Sequence, residues 1–124
     1  MAKQGIDPAG VAKAGPYSHA VRFGNLVFLS GKTGTGGDGK LVAGGIEAET
    51  RQTFANLKEV LTAAGLGFAN VLKCNVYLTD IGEFAAMNKV YGEHFADPQP
   101  ARTTVQVAAL PGGARVEIEM IAGE

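Results

Sequence analysis

Residues 100–122 read PARTTVQVAALPGGARVEIEMIA and contain two stretches in which side chains of different character alternate. Alternation with a period of two is typical of β-strands that are buried on one face. We therefore predict strands over residues 102–109 and 115–122, joined as a hairpin by the Leu-Pro-Gly-Gly-Ala segment between them. The second strand places Glu117 on the face opposite its apolar residues.

The chain upstream of this stretch predicts five more elements. They are strands over 17–23, 26–29 and 71–78, a helix over 46–64, and a second helix that starts after Asp80. The predicted order is ββαβαββ, an α+β fold in a single domain spanning 1–124. With two helices on one face of the sheet, the other face lacks cover, and another subunit is the expected cover.

Composition narrows the class of protein. The 124 residues include 46% hydrophobic residues, enough for a core, and 11 basic against 12 acidic residues give a net charge of −1. This balance favours neither nucleic acid nor an acidic membrane surface as partner. One cysteine excludes an intrachain disulfide. The N-terminus lacks an apolar leader pattern and no stretch approaches about 18 apolar residues, so we expect a cytoplasmic protein.

The glycine-rich stretch LVFLSGKTGTGGDGKLV, residues 26–42, superficially resembles a phosphate-binding loop. A P-loop that ended in Gly31-Lys32-Thr33 would need glycine at position 26, which is Leu26. No helical pattern follows Gly39, although a phosphate loop should lead directly into a helix. Nucleotide binding is therefore not expected, and a flexible loop after a buried strand is the simpler interpretation.

Five titratable or nucleophilic side chains are candidate site residues. Cys74 alternates with apolar residues and is expected in the core, while His19 and His94 lack companions at metal-ligand spacing. Arg102 is either a solvated edge charge or a two-pronged clamp for a carboxylate. Glu117 is either solvent-facing or a general base in a partly dry site. The residues alone leave both alternatives open.

Several short stretches together resemble the RidA/YjgF family of enamine/imine deaminases. They are Gly15-Pro16-Tyr17, Ser30-Gly31, NVYLTD at 75–80 followed by Phe84, Met87, Asn88 and Tyr91, and the stretch 100–122. The resemblance covers nearly the whole chain in the same order. It implies a homotrimer with a chorismate-mutase-like fold, a barrel-like core, outer helices and three clefts between subunits. It also implies that no cofactor or metal is needed.

The resemblance further implies a role for individual residues. Arg102 would bind the substrate carboxylate and Glu117 would position or activate water. The cleft would also be lined by Tyr17, Ser30, Gly31 and Asn88. Thr104 stands where deaminating members often have cysteine, yet its hydroxyl can still donate a hydrogen bond. Lys32 stands where glutamine is common and alters the charge near the cleft mouth.

The activity implied is hydrolysis of 2-aminoacrylate, 2-iminopropanoate and 2-iminobutanoate to 2-ketoacids and ammonia. Such substrates are already reactive, so positioning of the carboxylate and of a water matters more than a strong nucleophile. One alternative is a trimeric binder of small carboxylate metabolites without turnover. Another is an endoribonuclease or translation inhibitor, which the near-neutral charge disfavours.

The predicted hairpin also constrains the site. In it Arg102 would pair near residue 122, so Arg102 and Glu117 would lie roughly 17 Å apart at about 3.3 Å per residue. We therefore expect each site to combine Arg102 of one chain with Glu117 of the next.

Overall fold

The computed structural model describes residues 2–124 as a six-stranded mixed sheet with two α-helices packed on one face. The strands are β1 Gln4–Ile6, β2 Ala20–Phe23, β3 Leu26–Lys32, β4 Val71–Leu78, β5 Ala101–Gln106 and β6 Val116–Gly123, and the helices are α1 Gly45–Ala63 and α2 Phe84–Tyr91. The predicted α+β order is present, preceded by the short strand β1.

The strand order in the sheet is β1-β2-β3-β6-β4-β5. Strand β6 is antiparallel to both β3 and β4, while β5 is parallel to β4. The predicted hairpin of the last two strands is therefore wrong, because β4 lies between them. The crossover through α2 returns the chain parallel to β4, as strand–helix–strand units do. The connection 107–115 then crosses the end of β4, where Val107 N donates to Leu78 O at 2.8 Å and Thr79 N donates to Arg115 O at 3.1 Å.

The core lies between α1, α2 and the inner face of the sheet. The predicted helix face is confirmed, since Phe54, Leu57 and Leu61 on α1 are each at most 1% exposed. Cys74 is also fully buried, as expected, and burial raises the pKa of its thiol. Removing such side chains from water supplies the main driving force for the fold.

The second helix is shorter than its sequence pattern predicts. Residues 81–83 form a 3₁₀ turn, and the Asp80 carboxylate caps it by accepting a hydrogen bond from Gly82 N at 2.8 Å. Glu83 does not complete a capping box with Asp80 and instead forms an ion pair with Arg115 at 3.2 Å. The α-helix ends at Tyr91, before the Asp-Pro-Gln-Pro segment that was expected to terminate it.

The glycine-rich loop between β3 and α1 is held against the helix. Asn56 Nδ2 donates to the carbonyl oxygens of Thr33 at 2.9 Å and Thr35 at 2.8 Å. The backbone also turns back on itself, with Gly36 N donating to Lys40 O at 2.8 Å. The loop expected to be flexible is therefore anchored to α1 at its N-terminal half.

The outer face of the sheet exposes large apolar side chains. Within the apolar run of β3, Val27 and Leu29 are buried under the helices, whereas Leu26 and Phe28 point outward and are 40% and 44% exposed. Further exposed apolar residues on this face are Phe23, Leu72 and Val105. A monomeric protein rarely leaves so many large apolar groups together on one face.

Among residues 2–124 no helix has the length and apolar character needed to cross a membrane.

Candidate active site

Arg102 is fixed by side chains of α2. Its Nη1 donates to Asn88 Oδ1 at 2.7 Å, and its guanidinium carbon lies 4.6 Å from the ring centre of Tyr91 and 5.4 Å from that of Phe84. These three α2 residues are spaced by four and three positions, so they share one helix face. A guanidinium has five N–H donors, and Asn88 occupies only one of them. The arrangement holds the plane of Arg102 while leaving donors for a second acceptor.

Thr104 lies two residues further along β5, on the same face as Arg102. Its Oγ1 is buried and has no hydrogen-bond partner among the described residues, whereas the buried hydroxyl of Tyr91 lies beside the Cys74 thiol. Burial and the neighbouring Cys74 raise the pKa of Tyr91, so this hydroxyl stays protonated. A buried hydroxyl without a partner is costly, and a bound ligand would relieve that cost. We call Arg102, Thr104 and Asn88 the arginine group.

Glu117 lies on the outer face of β6, packed against Gly31 of β3. A Cβ added to Gly31 would lie 2.5 Å from Glu117 Oε1 and 3.0 Å from its Cδ. Glycine at position 31 therefore makes room for the carboxylate. Burial and then the nearby Glu119 raise the pKa of Glu117, while Lys32 lowers it. A half-buried carboxylate with a raised pKa is suited to general-base chemistry.

Ser30 and Gly31 interrupt the regular pairing of β3 with β6. The register passes from Leu29 opposite Met120 to Lys32 opposite Ile118, so β3 carries one residue more than β6 over this interval. Such a bulge redirects side chains and backbone groups at a strand end. Ser30 Oγ also donates to Ser18 O at 2.7 Å, which ties the bulge to the preceding segment.

Tyr17 lies in that preceding segment and is 40% exposed. Its hydroxyl accepts a hydrogen bond from Ala14 N at 3.3 Å, and Lys32 Nζ lies 5.6 Å from the centre of its ring. The positive charge of Lys32 also lowers the pKa of Glu117. We call Glu117, Gly31, Ser30 and Tyr17 the glutamate group.

The arginine group and the glutamate group do not meet within one chain. On β4, Cys74 is the register partner of Arg102 and Tyr77 is the register partner of Glu117. Positions three apart on a strand face opposite sides of the sheet and lie about 10 Å apart along it. Within one chain Arg102 and Glu117 therefore lie on opposite faces of the sheet, and the hairpin from which a separation of roughly 17 Å was expected is wrong.

A polar network beside Glu117 was missed by sequence reasoning. Asn75 Nδ2 donates to Glu119 Oε1 at 3.0 Å, and the Tyr77 hydroxyl donates to the same oxygen. The bond to Glu119 raises the pKa of Tyr77 to about 12. Period-two alternation puts Asn75 with Tyr77 on one face of β4 and Glu117 with Glu119 on one face of β6, but only the register of the two strands shows that these side chains touch.

Sequence reasoning also missed Tyr91 as a residue of the candidate site. Its spacing from Phe84 and Asn88 on α2 was a usable signal, because residues three, four and seven apart share a helix face. The sequence could not show that Arg102 of a distant strand lies on that face.

Comparison with known proteins agrees with this architecture. Residues 8–124 match the family model described as Endoribonuclease L-PSP, which is that of the YjgF/RidA proteins. The chain is 48% identical over 112 residues to the 2-iminobutanoate/2-iminopropanoate deaminase of the goat Capra hircus, covering 90% of this chain and 82% of that protein.

Two solved structures carry the same fold. RidA from the Antarctic bacterium Psychrobacter superimposes with a TM-score of 0.93 at 42% identity, covering 98% of this chain and 99% of that one. The E. coli protein TdcF with bound serine superimposes with a TM-score of 0.89 at 35% identity, covering 98% of each chain. On the match of residues 8–124, the shared fold and these identities, the chain belongs to the RidA/YjgF family.

Proposed function

We propose that the protein hydrolyses reactive 2-imino and 2-enamino acids to 2-ketoacids and ammonia, with 2-aminoacrylate, 2-iminopropanoate and 2-iminobutanoate as substrates. The observation that carries the proposal is the Arg102 guanidinium, held by Asn88 and Tyr91 with donors to spare and with the unpartnered Thr104 hydroxyl beside it. Such a fork suits a carboxylate, which accepts two parallel N–H bonds. The goat relative named for this activity supports the same substrate class.

The complete site in this proposal lies between subunits of a homotrimer. Arg102 and Glu117 face opposite sides of the sheet in one chain, so a neighbouring copy has to supply the missing half. The apolar outer face, with Phe28 44% exposed, gives a reason for copies to associate. Closure of three copies around an axis would cover this face in every chain.

In the proposed mechanism Arg102 holds the substrate carboxylate and Thr104 donates a hydrogen bond beside it. Glu117 of the adjacent subunit takes a proton from water, and the hydroxide adds to the C=N carbon. An enamine substrate first takes a proton from solvent on its methylene carbon to become the protonated imine. The carbinolamine formed by hydroxide addition accepts the proton from Glu117 on its nitrogen and gives its hydroxyl proton back to Glu117, so that C=O forms as the C–N bond breaks and ammonia leaves the 2-ketoacid behind.

This chemistry is proposed to proceed without a metal or cofactor, because the C=N carbon is itself electrophilic. The protein then places the two reactants and supplies a base, and these two contributions together lower the activation free energy by several kcal/mol. A cytoplasmic location remains a prediction.

The main alternative is a trimeric protein that binds small carboxylates without turnover. Thr104 favours it, since this hydroxyl replaces the cysteine common among deaminating members. RNA cleavage, suggested by the description of the family model, is the weaker alternative because the net charge is −1. Any RNA binding should weaken steeply with salt if it is electrostatic.

The test is release of ammonia and pyruvate from 2-aminoacrylate generated in place by a dehydratase, with wild type beside Arg102→Ala. We expect wild type to accelerate release and Arg102→Ala to lose at least about 100-fold of that acceleration. Glu117→Gln should still bind a 2-ketoacid but lose turnover. No acceleration by wild type over several amino-acid precursors would reject the deaminase and favour the binding protein.

A further inference from the structure

His19 is 1% exposed and joins residues 7–18, which we call the N-terminal segment, to β3. Its backbone N donates to Asp7 Oδ1 at 2.9 Å, and its backbone carbonyl oxygen accepts a hydrogen bond from Ser30 N at 2.9 Å. Its ring Nε2 lies 2.9 Å from Val11 O, and its ring Nδ1 is in hydrogen-bond contact with Lys32 Nζ. The proposed mechanism gives neither His19 nor Lys32 a role.

The partners of the His19 ring fix where its hydrogen lies. A carbonyl oxygen only accepts hydrogen bonds, so Nε2 carries the hydrogen and donates it to Val11 O. An ammonium only donates, so Nδ1 is the bare acceptor of a hydrogen bond from Lys32 Nζ. Only one proton fits between Nδ1 and Nζ, and the more basic amine of Lys32 holds it. A second proton on this pair would set two N–H groups head to head and break the contact.

The surroundings of the pair favour a single positive charge. Burial and then the charge of Lys32 lower the pKa of His19, and burial lowers the pKa of Lys32 to about 8. The Asp7 carboxylate, which faces the pair, already forms an ion pair with Lys13 at 2.9 Å. A second positive charge on the pair is therefore poorly compensated. The other titratable groups nearby are Tyr17 in the N-terminal segment and, across the sheet, Glu117.

The ring of Tyr17 lies against the same pair. The rings of Tyr17 and His19 are perpendicular with their centres 6.4 Å apart, and Lys32 Nζ lies 5.6 Å from the centre of the Tyr17 ring. Ser30 Oγ also donates to Ser18 O at 2.7 Å, so the backbone next to Tyr17 is bonded to the bulge of β3. The His19–Lys32 pair and the bulge thus place the Tyr17 ring within the glutamate group.

We propose that His19 is a positioning residue of the candidate site, which holds Tyr17 at the cleft while its neutral ring accepts the hydrogen bond of Lys32. A second proton on the pair breaks this bond and loosens the N-terminal segment together with Tyr17. Binding of a small carboxylate ligand then weakens in acid. The catalytic meaning of this role rests on the proposed function.

The protonation of the pair is tested by ¹⁵N NMR of the His19 ring, with His19→Gln to distinguish its signals from those of His94. At pH 7 we expect a neutral ring with its hydrogen on Nε2, and an acid step below the ordinary histidine value of 6.5. Lys32→Gln removes the cation, so the step should move to higher pH by on the order of one unit. A hydrogen on Nδ1 at pH 7, or an unchanged step in Lys32→Gln, would overturn the proposal.

Two substitutions of His19 separate its hydrogen bonds from its bulk. His19→Gln keeps a donor for Val11 O and an acceptor for Lys32 Nζ and does not titrate, whereas His19→Leu offers neither. The ring signals of Tyr17, assigned in a ¹³C spectrum with Tyr17→Phe, report its position without turnover. We expect them to stay near their wild-type values in His19→Gln and to move in His19→Leu. Unmoved Tyr17 signals in a folded His19→Leu would contradict the positioning role.

Ligand affinity and kinetics supply readouts that a general structural role would not move. The dissociation constant of 2-ketobutyrate and KM should both rise several-fold in His19→Leu, while kcat falls less, because Arg102 and Glu117 stay in place. In wild type both constants should rise as the pH falls through the NMR step, and in His19→Gln this rise should be absent. An equal acid rise in His19→Gln would overturn the proposal. Circular dichroism and sedimentation should show an unchanged fold and assembly in the variants compared.

Failure of this proposal and failure of the proposed function are distinguishable. If wild type releases no ammonia, the proposed function fails, while the ring titration, the Tyr17 signals and the affinity for 2-ketobutyrate still decide whether His19 holds the cleft. If His19→Leu does not fold, the acid steps of wild type, Lys32→Gln and His19→Gln decide it, because they must agree between the NMR titration and the affinity profile.

Discussion

The absence of a side chain at Gly31 leaves the room that the Glu117 carboxylate occupies. Gly31→Ala would place a Cβ 2.5 Å from Glu117 Oε1, so the carboxylate has to move away. We expect kcat to fall by at least about 10-fold, since small displacements of a catalytic group are costly. Stability should change little, because the group displaced is the end of a flexible side chain.

Gly37→Ala is the matched control, because a Cβ there meets nothing within 4 Å. Ammonia release and thermal unfolding would be measured for both variants. Wild-type turnover in Gly31→Ala would show that the carboxylate position seen here is not the one used in the reaction.

The buried Lys32 predicts a pH dependence of stability. Burial lowers its pKa from 10.5 to about 8, so between these values the unfolded chain binds more protons than the native one. Stability therefore rises with pH in this window, and the cost of burying the charge is fully present below pH 8. Relative to Lys32→Gln, wild type should gain about 1–3 kcal/mol in unfolding free energy from pH 7 to pH 10.

Urea unfolding of both proteins at one concentration measures this difference, because the other lysines and tyrosines contribute nearly equally to both. A difference that is constant from pH 7 to pH 10 would mean that Lys32 titrates normally in the native state.

Part of the candidate site can be predicted from the chemistry of single residues. Arg102 and Glu117 are candidates because a guanidinium fits a carboxylate and a carboxylate can serve as base. What the sequence did not show is that Tyr91 packs on Arg102 and that Glu119 accepts hydrogen bonds from β4. Their importance comes from neighbours on other elements, which the local pattern does not contain.

The close packing of α1 on the end of β3 depends on Gly34. A Cβ at this position would lie 2.7 Å from both Cα and O of Glu49 in the helix. Backbone cannot move aside as a side-chain end can, so Gly34→Ala should force α1 away from the sheet. We expect a loss of about 1–3 kcal/mol in unfolding free energy, as for other overpacked sites.

Gly67→Ala provides the comparison, because a Cβ there meets nothing within 4 Å and the residue does not need a left-handed backbone. Both variants would be unfolded in urea. Equal stability of Gly34→Ala and wild type would contradict the packing of α1 described here.

Which segments form helices and strands was easier to predict from the sequence than which strands pair with each other. The period of α1 and the alternation of β4 are local signals, and β4 has the predicted bounds Val71–Leu78. The pairing of β5 with β6 was wrong because adjacent strands with a Pro-Gly-Gly turn usually form a hairpin. In the structure the crossover through α2 places β5 along one edge of β4. Strand β6 pairs with the opposite edge of β4, and the local sequence pattern contains no information about that pairing.

A charged substitution on the apolar outer face of the sheet should prevent the chains from associating. Phe28 is 44% exposed on this face, so Phe28→Asp should leave the single chain folded. It should prevent association, because an unpaired carboxylate would be buried between subunits. Sedimentation should show trimers for wild type and monomers for Phe28→Asp, and turnover should be lost together with the trimer.

Lys58→Asp on the exposed surface of α1 is the control and should remain trimeric. A wild type that sediments as a monomer, or a Phe28→Asp variant that stays trimeric and active, would contradict the proposed use of this face.

The central claim is that each site takes Arg102 from one chain and Glu117 from its neighbour. The most direct test mixes two inactive variants, Arg102→Ala and Glu117→Gln, after unfolding and refolding them together. In a statistical mixture about a quarter of the sites in a trimer would combine an intact Arg102 with an intact Glu117, so about a quarter of wild-type ammonia release should return. No recovery in mixed trimers, with each variant folded and associated, would place both residues in a site within one chain and contradict this account.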